Sequence, residues 1–137
     1  MNIFSNACLY FIMLCHFLIV CFVIITPFTN CNYILLLHSI LVPFIMLHWI
    51  LNDNTCVLTL VEKKIRTHIN GGIEVNDIEC FTCQLINPIY DFKSNYENYS
   101  TLIYLLTIIL WLTSVTKLVY KYCNGDIKSF IDLFMIK

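Results

Sequence analysis

Three stretches of the chain, Ala7–Ile25, Tyr33–Leu51 and Thr101–Val119, are dominated by apolar residues, each over 19 residues, with Lys117 near the end of the third. At about 1.5 Å of rise per residue, such a stretch spans the roughly 30 Å hydrocarbon core of a bilayer as one α-helix. Pro27 ends the first, and the uncharged link Thr26–Asn32 is short enough to fold the first two into an antiparallel hairpin. Pro43 lies inside the second, where its missing N–H leaves a carbonyl for a neighbouring group to satisfy. The third carries Trp111 within it, with Tyr96, Tyr99 and Tyr104 at one end and Tyr120 and Tyr122 at the other, as an interfacial aromatic belt requires.

The pattern changes between the second and third stretches. Thr59-Leu-Val-Glu62 has the spacing of a capping box, which predicts a helix over about 60–69, closed by Asn70-Gly71-Gly72. Val61, Ile65, His68 and Ile69 would share one face and Glu62, Lys63, Arg66 and Thr67 the other, the arrangement of an amphipathic helix lying on a membrane surface. Beyond it, 70–100 reads as a loop in which Cys80–Ile86 forms a short helical turn or a re-entrant piece packed on the bundle before Asn87-Pro88. The tail 120–137 alternates apolar and polar residues from Ser129 to Ile136, which suggests an amphipathic helix.

Composition settles the broad class. Of 137 residues, 59% are hydrophobic and 12% charged, against about 45–50% and about 25% for a soluble domain. Met1–Asn52 and Asn98–Thr116 contain no Asp, Glu, Lys or Arg, and the net charge of −1 gives no pull towards nucleic acid. The first span lacks the basic flank and cleavage site of a secretory signal, so it reads as an uncleaved anchor. With three spans, Lys63, Lys64, Arg66 and Lys93 face one side of the membrane and Lys117, Lys121, Lys128 and Lys137 the other. The positive-inside rule therefore does not orient the chain.

The candidate chemistry lies in a short polar series, His48, Asn52, Cys56, Thr59, Glu62 and Arg66. His48 and Asn52 are one helical turn apart and can hydrogen-bond each other near the membrane surface. Ionisable groups at membrane depth are candidates for catalysis or transport, while an interfacial pair beside Trp49 is also an ordinary structural element. His16 and His38 lie deeper and read as satisfied polar residues at helix contacts rather than as a bis-histidine haem or metal site. Cys80-Phe-Thr-Cys83 admits three readings: half a zinc site completed by Cys56 or His68, a disulfide, or two packed thiols in a chain with eight cysteines. Glycine-rich phosphate loops, nucleophile elbows and catalytic carboxylate pairs are lacking, and no cofactor is expected.

His48-Trp49-Ile-Leu-Asn52, followed by Cys56-Val-Leu58-Thr59-Leu-Val-Glu62 and Arg66, resembles small hydrophobic proteins of large DNA viruses of algae and amoebae. The same core, with a later glycine, Phe81 and Asn87-Pro88-Ile89-Tyr90, is similar to a bacterial family of small membrane proteins of unknown function. The likeness covers about residues 45–92 and departs at Val57, where the bacterial pattern has proline. It implies a membrane architecture and a viral source, and no reaction.

The expectation is an all-α integral membrane bundle, one domain over 1–137, with three transmembrane helices, a surface helix and a helical tail. Its surroundings would be the lipid bilayer of a host endomembrane or an inner virion membrane. Partners would be other membrane or capsid proteins or a second copy of the chain, and not nucleic acid. A structural or assembly role is favoured, and the alternative is a small membrane enzyme or transporter using His48, Asn52, Cys56 and Glu62.

Overall fold

The computed structural model describes residues 3–52, 55–74 and 96–134. Among them, all regular structure is helical: α1 (Ile3–Ile25), α2 (Asn32–Leu51), α3 (Val57–Ile69) and α4 (Tyr96–Cys123), with 3-10 turns at Thr26–Phe28 and Phe130–Leu133. Three helical segments, Phe4–Phe28, Asn32–Leu51 and Thr101–Cys123, are long and apolar enough to cross a membrane. They contain the three stretches expected from sequence and exceed them at several ends, because Ser5, Asn6, Asn32 and Tyr120–Cys123 stay helical.

The tail differs from expectation. Where the sequence predicts an amphipathic helix over Ser129–Ile136, the described residues form one 3-10 turn, closed by a capping box. The Asp132 carboxylate accepts from the Ser129 and Lys128 backbone N–H groups, both at 2.9 Å. That local bonding favours a single tight turn over a continued helix. The expected turn at Cys80–Ile86 lies outside the described residues.

Helix ends follow backbone chemistry. α3 stops at Gly71 (φ 71°), where Gly72 N–H donates to Thr67 O at 2.9 Å. α4 stops at Gly125 (φ 79°), where Asp126 N–H donates to Lys121 O at 3.0 Å. Both are six-to-one closures that need a left-handed residue, which glycine adopts without a Cβ clash. The glycine stop expected for α3 is therefore present.

The start of α3 is a correction. The capping-box reading places Thr59 at the N-cap, but the cap is Cys56, in extended conformation, and the helix begins at Val57. Thr59 therefore falls inside the first turn. The faces are corrected as well. Glu62 is completely buried and Arg66 partly so, whereas Val57, Leu60 and Val61 are exposed. The carboxylate and its neighbouring guanidinium form the inward side of the helix, which the amphipathic reading turns outward.

The chain divides into two compact units, one of Met1–Leu18 with His48–Thr101, the other of Ile19–Leu47 with Leu102–Lys137. In the second unit two prolines explain the packing. Pro43 cannot donate to the carbonyl four residues back, Ser39 O, and α2 nevertheless runs through it. Trp111 Nε1 donates to that carbonyl at 2.9 Å from α4. Pro27 likewise leaves Val23 O without its helical donor, and His38 Nε2 lies 3.1 Å from it. Since a carbonyl only accepts, the His38 proton sits on Nε2. A tryptophan and a histidine thus replace the two N–H groups that proline removes. The expectation that Pro43 frees a carbonyl for a neighbour holds, and the neighbour is Trp111.

Around these bonds, the buried apolar side chains among the described residues of the second unit include Val23, Leu35, Val42 and Ile127. At the α1–α2 turn, Lys117 Nζ donates to Thr29 O at 3.4 Å, while Lys121 Nζ donates to Asn30 O and to Asn32 Oδ1. These ammonium groups satisfy oxygens of the turn that joins α1 to α2. Tyr33 and Phe134 stack at 5.5 Å and hold the 3-10 turn against the start of α2.

Candidate functional site

The first unit has a different interior. Among its described residues only His16 and Glu62 are buried, both ionisable. A buried carboxylate is tolerated only where paired. Glu62 Oε1 accepts from Arg66 Nε at 2.9 Å and from Nη2 at 2.9 Å, one helical turn along α3. Arg66, the chain's one arginine, also places Nη2 3.8 Å from Met13 Sδ on α1. The pair ties α3 to α1 through a guanidinium whose planar fork can meet two acceptors at once.

Cys56 stands where the chain turns into α3. Burial pushes its thiol up, but the His16 side chain and the Leu58 and Thr59 backbone hydrogen bonds outweigh that and hold it below the ordinary thiol value. The largest of the lowering influences is the His16 side chain. His16 projects from α1, so the imidazole and the thiol come from segments 40 positions apart in the chain.

His48 and Asn52 pair as expected. Asn52 Nδ2 donates to His48 O at 2.8 Å and lies 3.1 Å from His48 Nε2, folding the amide back over the last turn of α2. This arrangement satisfies a terminal carbonyl and fixes the imidazole.

The six residues singled out in the sequence therefore fall into pairs. His48 is with Asn52, Glu62 with Arg66, and Cys56 with a residue outside the series, His16. Thr59 lies inside the first turn of α3, and Cys56 occupies the cap position. His16 and His38 belong to different compact units and have their own partners, Cys56 and Val23 O. His68 is on α3, and Cys80 and Cys83 lie outside the described residues. Among the described residues, no group of three or more His, Cys, Asp or Glu is arranged to hold a metal ion. The described cysteines, Cys56 included, are free thiols.

The Cys56–His16 pair is the part of this site that the sequence did not reveal. The usable signal was weak: a lone histidine in a charge-free helix, with no spacing rule connecting it to a cysteine after the next helix. No family profile, curated protein or solved structure matches the chain.

Proposed function

We propose that the chain is an integral membrane protein with a non-enzymatic structural or assembly role in a viral or host membrane. The observation that carries the membrane placement is an inversion of the usual polarity. Exposed residues on the long helices are large and apolar: Ile40, Phe44, Leu47 and Leu51 along α2, and Leu102, Leu105, Ile109 and Leu112 along α4. Buried residues include His16, Thr26, Asn32, His38, Thr107 and Ser114. In water such a surface would be a large apolar patch, whereas in lipid it meets a solvent of its own kind.

The structural role is supported by how the polar groups are spent. In the second unit Trp111, His38, Lys117 and Lys121 all bond backbone or amide carbonyls that helix ends and prolines leave open. Such bonds hold helices in register and leave few groups for turnover. The resemblance of residues 45–92 to hydrophobic viral proteins favours a virion or host endomembrane, with lipid, other membrane or capsid proteins, or a second copy as partners.

Membrane fractionation tests the placement. The protein should stay with membranes through carbonate and high-salt washes and leave only with detergent, because salt screens electrostatic attachment and not apolar burial. Recovery in the wash would end the proposal. Co-purification with virion membranes, in fixed ratio to their other proteins, is the outcome expected of an assembly component.

A further inference from the structure

Inside the second unit, His38 Nδ1 and Ser114 Oγ are buried polar atoms with no hydrogen-bond partner among the described residues, and both residues are 0% exposed. His38 Nε2 carries the ring's proton against Val23 O, 3.1 Å away, which leaves Nδ1 as a bare acceptor. Ser39, Thr107 and Thr113 turn their hydroxyls back onto the carbonyl four residues earlier, each at 2.8 Å. Ser114 makes no such bond, so its hydroxyl keeps a donor and an acceptor for a group outside its own helix.

The two atoms belong to facing stripes. On α2, Asn32, Leu35, His38 and Val42 are buried at helical spacing, and on α4, Trp111, Ser114, Lys117 and Lys121 share one face. Contacts at both ends of these stripes set an antiparallel register: Lys121 Nζ donates to Asn32 Oδ1 at 2.7 Å, and Trp111 Nε1 donates to Ser39 O at 2.9 Å. Between those contacts His38 comes level with Ser114, yet neither side chain bonds the other.

We propose that one water molecule is bound between His38 Nδ1 and Ser114 Oγ, donating to the imidazole nitrogen and sharing a second hydrogen bond with the serine hydroxyl. Buried polar atoms of native interiors meet protein or ordered water, and a bound water needs at least two such partners. The chemistry of both atoms selects water, since Nδ1 takes only a donor and a hydroxyl takes either role. An anion would face the Nδ1 lone pair. A metal ion would need further ligands, and among the described residues no group of three His, Cys, Asp or Glu is placed to supply them. The chain from Val23 O through His38 and the water to Ser114 ties α1, α2 and α4 together inside one compact unit, whatever solvent covers its outer face.

The test is an experimental structure of the full chain in detergent, at a resolution that places waters. Density for one water within about 3.2 Å of both atoms is the expected result. Ser114 Oγ bonded directly to Nδ1 would overturn the proposal, as would Ser114 turned back onto Leu110 O with Nδ1 bare. Nitrogen-15 spectra of His38 in micelles should show the Nε2–H tautomer with a hydrogen-bonded Nδ1, and an unbonded Nδ1 would contradict it. Both measurements use the unaltered protein and stand even if a variant fails to fold. Ser114→Ala should raise the unfolding equilibrium constant by about fivefold in the native background and by clearly less in His38→Phe, because the water has then already lost its other partner. Equal factors in the two backgrounds would count against the bridge.

Discussion

The two compact units solve the problem of interior polarity in opposite ways. In the second, side-chain donors are spent on backbone carbonyls: Trp111 on Ser39 O, His38 on Val23 O, Lys117 on Thr29 O. In the first, the two buried ionisable groups meet other side chains: Glu62 pairs with Arg66, and His16 lies beside Cys56. A donor fixed on a carbonyl can only hold, because the backbone oxygen neither ionises nor moves. The difference lies in what each donor meets, a backbone oxygen in one unit and an ionisable side chain in the other.

The largest effect should come from breaking the first unit's ion pair on one side. Arg66→Met leaves the fully buried Glu62 without its guanidinium and should destabilise the protein by about 3 kcal/mol, the low end for a buried pair because Arg66 is 23% exposed. Glu62→Leu combined with Arg66→Met should recover most of that loss, since no buried charge remains. Thermal unfolding in detergent measures both. Equal instability of the single and double variants would mean that the pair does more than neutralise charge.

In the second unit the corresponding change is His38→Phe, which keeps a ring against Phe22, 5.6 Å away, and removes the donor to Val23 O. The expected cost is about 1–3 kcal/mol for a carbonyl left open in the interior. His38→Gln, which can still donate, should lose less. If the two substitutions cost the same, ring packing rather than the hydrogen bond sets the value of His38.

The smallest effect is expected at Thr59. With Cys56 at the cap and Thr59 within the first turn, Thr59→Ala should change stability by less than about 0.5 kcal/mol, below the loss typical of a true cap. Amide hydrogen exchange along α3 would show it. A loss of about 1 kcal/mol or more would restore the capping-box assignment.

The error at Thr59 shows what the sequence could and could not convey. Long-range periodicity and proline placement are local signals, so the three apolar helices, the glycine stop of α3, the His48–Asn52 pair and the open carbonyl at Pro43 were all legible. The partners were not, because Trp111 reaches Ser39 across 72 positions and nothing local marks which helix will lie beside which. The faces of α3 were misassigned for a related reason. Burying the apolar face holds for a helix surrounded by water, and here the neighbouring α1 offers His16 and Met13, polar and polarisable groups that suit Cys56, Glu62 and Arg66. The cap was misplaced because Thr-x-x-Glu is a strong local motif, whereas the extended backbone at Cys56 depends on its tertiary partner.

The claim that side-chain N–H groups replace those removed by proline is tested most directly by a double-mutant cycle on Pro43 and Trp111. Trp111→Phe should cost about 1–3 kcal/mol in the native background, where Ser39 O is left open. In the Pro43→Ala background the backbone N–H restored at that position can supply the Ser39 carbonyl, and the same substitution should cost less by about 1 kcal/mol. Unfolding of the four proteins in one detergent gives the coupling. A positive coupling of that size is the predicted result, and strictly additive costs would contradict the account.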